Sequence, residues 1–152
     1  MRTLSILFFA VWGTLFGQMN ACQLLPGAEV VRVTGQKSLT PPEPIGNGYG
    51  CGYDNAQLLI YTGDKAEANW EGTMKNFGHD KAQRLPLSGV GEKAYSFYPK
   101  PRDQYEDSNA FVVVKQGKYV IAMSVAAPKG KTPQATQPQA LELAKIALAK
   151  LK

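Results

Sequence analysis

With 152 residues, 44% of them hydrophobic and 19% charged, the chain is long enough for one domain with a buried core and too apolar for global disorder. Its formal net charge of +5 is spread over Lys and Arg interleaved with Asp and Glu, with no basic run of five and no nucleic-acid-binding motif. That pattern argues against nucleic-acid binding and assigns the charge to solubility.

The chain opens with Arg2, an apolar stretch from Leu4 to Phe16, and the small residue Ala21 just before Cys22. This order of charge, apolar run and small residue predicts a cleaved signal peptide over residues 1–21, and the run is shorter than the ~20 apolar residues of a spanning helix. The remaining residues, 22–152, then form a single exported domain in the periplasm, the cell envelope or the extracellular medium. Cys22 and Cys51 are the only cysteines. In an oxidising compartment two cysteines favour a disulfide, here closing a loop rich in Pro and Gly. The alternative is acylation of Cys22 as the first residue of a lipoprotein, which would anchor the domain to a membrane and leave Cys51 a free thiol. Met19-Asn20-Ala21-Cys22 fits a lipoprotein cleavage box only at its last position. Two cysteines and one histidine at scattered positions do not make a closed zinc site, and no cofactor is expected.

Leu24 to Gly35 carries apolar residues at helical spacing and predicts a first helix stopped by Gly35. A loop through Thr40-Pro41-Pro42-Glu43-Pro44 and Gly46-Asn47-Gly48-Tyr49-Gly50 follows. Gly52 to Thr62, centred on Leu58-Leu59-Ile60-Tyr61, predicts a strand ended by Gly63-Asp64. Asp64 is placed to cap a helix from Lys65 to about Phe77, with Ala66, Trp70, Met74 and Phe77 in one apolar stripe and Gly78 as its stop. Gln83 to Tyr98 reads as strand, with Gly89 and Gly91 around Val90 permitting a bend, but matches neither a phosphate loop nor a dinucleotide fingerprint. Pro99 to Gln104 is a polar turn region.

Ala110–Lys115 and Lys118–Val125 flank Gln116-Gly117 and predict a β-hairpin, with Tyr119, Ile121, Met123 and Val125 on one apolar face. Pro128 to Pro138 reads as linker. Gln139 to Leu151 is a helix whose apolar face, Leu141, Leu143, Ala144, Ala147, Leu148 and Leu151, is expected to dock on the sheet rather than on a membrane surface. The fold expected is therefore α+β, an antiparallel sheet of about four to five strands with two to three helices packed on one face.

No catalytic constellation emerges. His79, the sole histidine, sits in an expected turn, and the carboxylates Asp103, Glu106 and Asp107 fall in a hydrated loop without the alternating oxygen ligands and turn glycine of a calcium site. No serine carries a nucleophile elbow. Cys22-Gln23-Leu24-Leu25, Ala28-Glu29-Val30, Gly35, Cys51-Gly52-Tyr53 and Gly89-Val90-Gly91-Glu92-Lys93-Ala94 together resemble a family of small bacterial cell-envelope proteins of unknown function, many of them lipoproteins. The sequence departs from that pattern at Pro26-Gly27, where Thr-Pro is usual, and at Glu92, where Asp is usual. The resemblance implies an α+β fold with a Cys22–Cys51 bridge and carries no catalytic residue. The function expected is a non-catalytic, monomeric, secreted or envelope-associated domain that binds a protein, peptide or envelope component. A lipid or small-molecule carrier and a small hydrolase with a composite cleft are the alternatives.

Overall fold

The apolar segments assemble into one antiparallel sheet. The computed structural model describes residues 20–37, 40–77, 82–99 and 109–151. The elements in chain order are α1 (Ala21–Leu24), α2 (Gly27–Thr34), β1 (Glu43–Ile45), β2 (Gly50–Tyr53), β3 (Ala56–Thr62), α3 (Asp64–Phe77), β4 (Ala82–Leu87), β5 (Lys93–Pro99), β6 (Asn109–Gln116), β7 (Tyr119–Ala126), a 3-10 turn (Pro133–Thr136) and α4 (Gln137–Ala149). The seven strands lie in the order β1-β2-β3-β7-β6-β5-β4, and every neighbouring pair is antiparallel. The α+β class and the antiparallel sheet are thus as expected.

The strand count is not four to five but seven, and there are four α-helices among the described residues. The extra strands have local causes. The single strand expected over Gly52–Thr62 is a hairpin, because Asp54-Asn55 turns the chain and pairs Tyr53 with Ala56. The strand expected over Gln83–Tyr98 is likewise two, β4 and β5, separated by the Ser88–Glu92 loop. β1 lies inside the proline-rich loop. It is three residues long and pairs with β2, Glu43 opposite Gly52 and Ile45 opposite Gly50. Pro44 in β1 and Pro86 in β4 occupy the two outer strands, where a residue without an N–H weakens a sheet least and discourages pairing with another chain.

The helices do not share one face. α1, α2 and α4 cover one side, burying Leu25, Val30, Leu143, Ala144 and Ala147 against Leu58, Ile60, Val112, Val114, Ile121, Met123 and Val125. α3 covers the other, where Ala66 and Trp70 meet Phe97, Val113 and Val120, with Tyr61, Met74, Tyr95 and Phe111 half-buried around them. The physical reason lies in β6 and β7. Phe111, Val113, Val120 and Ala122, which alternate with the first apolar set, are themselves apolar, so each central strand presents two faces that must leave water. At the rim of this second layer, Lys115 Nζ pairs with Glu67 Oε2 and lies 6.0 Å from the Trp70 ring centre, and the Arg84 guanidinium lies 5.2 Å from that of Tyr95.

Helix ends follow their local chemistry. Gly35 closes α2 in the left-handed conformation, φ 68°, with its N–H donating to the Val31 carbonyl. The α3 start sits one residue earlier than expected: the Gly63 carbonyl accepts from the Ala66 and Glu67 amides, and Asp64 is the first helical residue. The β6–β7 turn is one residue later than expected, Gly117-Lys118, with Gln116 opposite Tyr119. The expected Pro128–Pro138 linker is partly built: the buried Thr136 hydroxyl donates to the Val125 carbonyl at 3.2 Å and caps the route from β7 into α4. Gly78, His79 and the carboxylates Asp103, Glu106 and Asp107 lie outside the described residues, as does the 1–19 segment.

Candidate functional site

The cysteines are the first residues to place. Cys22 on α1 and Cys51 on β2 lie at disulfide distance, with Cα atoms 5.0 Å apart, and Cys51 is fully buried. Around them α1 is tied down by further contacts. The Ala21 amide donates to the Gly48 carbonyl at 2.9 Å, and the Tyr53 hydroxyl donates to the Leu25 carbonyl. Burial raises the Tyr53 hydroxyl pKa above the ordinary tyrosine value. The folded chain therefore keeps this proton at a pH where the unfolded chain has released it. Stability from this group is intact below about pH 10 and declines as pH rises beyond it. Tyr53→Phe should flatten that alkaline decline, as read from denaturant melts at a series of alkaline pH values. Tyr61, also raised mainly by burial, should leave a residual slope.

A concavity lies at the C-terminal end of α4. It is a groove of about 630 Å³ between the β4–β5 loop, the β6–β7 turn and the end of α4. That size falls within the roughly 300–1,000 Å³ of small-molecule sites. Val90, Tyr119, Leu148 and Leu151 supply apolar walls, while Lys118 and Lys145 stand at it as exposed cations. The Lys118 ammonium lies 5.3 Å from the Tyr119 ring centre. Among the described residues neither lysine has an ion-pair partner.

The walls are held from within. The Glu92 amide donates to the Lys115 carbonyl at 2.9 Å, and its carboxylate accepts from the Gly117 amide at 3.0 Å, which binds the β4–β5 loop to the β6–β7 turn. Gly91 makes this approach sterically feasible. It has φ 58°, and a Cβ there would stand 2.5 Å from Val114 Cγ1 and 2.7 Å from the Lys115 carbonyl oxygen. The glycines read from sequence as a bend shape this wall, and Glu92 clamps it. The C-terminus of α4 brings a partial negative charge of about half a unit toward the groove, which the two lysine charges outweigh.

Chemically the groove can hold an apolar group next to an anion. Among the described residues that line it there is no histidine, cysteine, aspartate or glutamate. Each of its parts was visible in sequence: the glycine pair, the hairpin turn and the lysines near the end of the last helix. What was missing was their meeting, since they lie on segments far apart in the chain. No family model matches the chain, and neither curated proteins nor solved structures give a match.

Proposed function

We propose that the chain is a non-catalytic, exported, envelope-associated domain whose groove between the β4–β5 loop, the β6–β7 turn and α4 binds an envelope component bearing an apolar group beside a negative charge. The observation that carries this reading is the pairing of apolar walls with Lys118 and Lys145 in one concavity. An anion there gains from two cations, and an apolar body gains roughly 25 cal/mol for each Å² it removes from water. The signal-like opening and the bridge-competent cysteines support the export part of the reading.

The test is a titration with dodecanoate against dodecyltrimethylammonium, followed by the backbone amide resonances of Gly89, Gly91 and Gly117. Dodecanoate should move all three, and the cation of equal chain length should move them far less. Lys118→Glu combined with Lys145→Glu should weaken dodecanoate at least about tenfold, equivalent to 1.4 kcal/mol. Equal shifts with both amphiphiles, or none with either, reject the anionic-ligand assignment. The size of the groove favours a second reading, a carrier for a small amphiphile. That reading takes precedence if an acyl compound co-purifies with the exported protein in stoichiometric amount by mass spectrometry.

A further inference from the structure

We infer that Asn20 and Ala21 belong to the folded domain and that Cys22 is committed to Cys51, so that removal of a leader cuts before Asn20 and leaves Cys22 without a lipid. The sequence alone places the cut after Ala21, because a small residue precedes the cysteine. The structure supplies a different reason for that small side chain. Ala21 is 0% exposed and packed in the principal core cluster, in a slot at the start of α1.

Its backbone is equally engaged. The Ala21 amide donates to Gly48, and its carbonyl accepts from the Leu25 amide at 3.1 Å. Asn20 serves as the cap: its side-chain oxygen accepts from the Cys22 amide at 3.0 Å, and its carbonyl accepts from the Gln23 and Leu24 amides at 3.0 and 3.3 Å. A cut between Ala21 and Cys22 would remove all these partners at once.

The sulfur chemistry agrees. The diacylglyceryl group of a lipoprotein cysteine is attached to its Sγ, and Cys22 Sγ lies at bonding distance from Cys51 Sγ. One sulfur forms the thioether or the disulfide, not both. A chain held by the bridge therefore has no lipid anchor at Cys22, whatever its groove binds.

The test is the full chain exported from a bacterial host, with the mature N-terminus read by intact mass and N-terminal sequencing under non-reducing conditions. A chain beginning at Asn20 or upstream of it, unacylated and with both thiols blocked to alkylation until reduced, is the expected result. A chain beginning at Ala21 or Cys22, or an acyl adduct on Cys22, overturns the inference. Ala21→Ser in the same full chain gives an independent readout, since serine is small enough to leave a cut after residue 21 possible. If residue 21 is retained, the mature mass rises by the added hydroxyl oxygen and the Tm falls by roughly 3–10 °C, because a hydroxyl is buried in an apolar slot. If residue 21 is removed, mass and Tm match the unsubstituted protein and the inference fails.

Discussion

Leu143→Asp should unfold the domain under conditions in which the parent chain is folded. Leu143 is 0% exposed, on the face of α4 that meets β6 and β7, in the same cluster as Val112, Met123 and Val125. The substitution removes a buried aliphatic side chain, which alone costs about 2–5 kcal/mol, and sets a carboxyl group where nothing apolar can solvate it. The sum is about 5 kcal/mol or more, comparable with the whole stability of many domains of this size. Urea melts followed by far-UV circular dichroism measure it. Ala149→Gln, on the exposed side of the same helix, should change stability by less than about 0.5 kcal/mol and serves as the control. A near-parental melt for Leu143→Asp would mean that α4 is not docked, and would revive the membrane-surface reading of this helix, to be checked by loss of liposome binding.

Cys51→Ser should cost about 2–5 kcal/mol, the usual loss when a native bridge is removed from a small secreted domain. Two contributions add. The sequence separation of 29 residues between Cys22 and Cys51 sets a loop-closure entropy on the order of 3–4 kcal/mol in the unfolded chain. The serine hydroxyl then occupies a fully buried position on β2. Cys51→Ala separates the two, since it removes the bridge without adding a polar atom. The measurement is the denaturant midpoint of the oxidised chain, the reduced chain and both variants. Coincident midpoints for the oxidised and reduced chains would show that the bridge does not stabilise the fold. The tertiary hydrogen bonds Ala21–Gly48 and Tyr53–Leu25 should keep α1 associated when the bridge is broken, so reduction lowers the midpoint without creating a second transition.

Both experiments bear on function through architecture. The groove exists because the end of α4 is held beside two turns that belong to different strands, so a chain with α4 detached loses Lys145, Leu148 and Leu151 from it. The bridge joins α1 to β2, and neither cysteine lines the groove. Its loss should reduce stability while leaving groove binding intact in the folded fraction. This difference separates a stability effect from a binding effect in any variant.

The sequence by itself determined those features whose physical cause lies within a few consecutive residues. The stripe Ala66–Trp70–Met74 makes α3 amphipathic at a period of 3.6, and Gly35 ends α2 because only glycine takes its positive φ without strain. The hairpin of β6 and β7 follows from two β-rich runs around a glycine turn, and Cys22 and Cys51, the only cysteines, are the one cysteine pair within the chain that the sequence allows. Four features depended on tertiary structure because their cause is distant in the chain. β1 forms from Glu43-Pro44-Ile45, whose first two residues have little strand character, because β2 offers a partner edge. Asp54-Asn55 becomes a turn because β3 has β7 to pair with on its far side. The second helical layer required seeing that Val113 and Val120 point away from Val112 and Ile121, so that one apolar run fills two cores. The groove required three remote segments to converge, and the burial of Ala21 required Gly48 beside it, since neither residue alone carries any sign of the other.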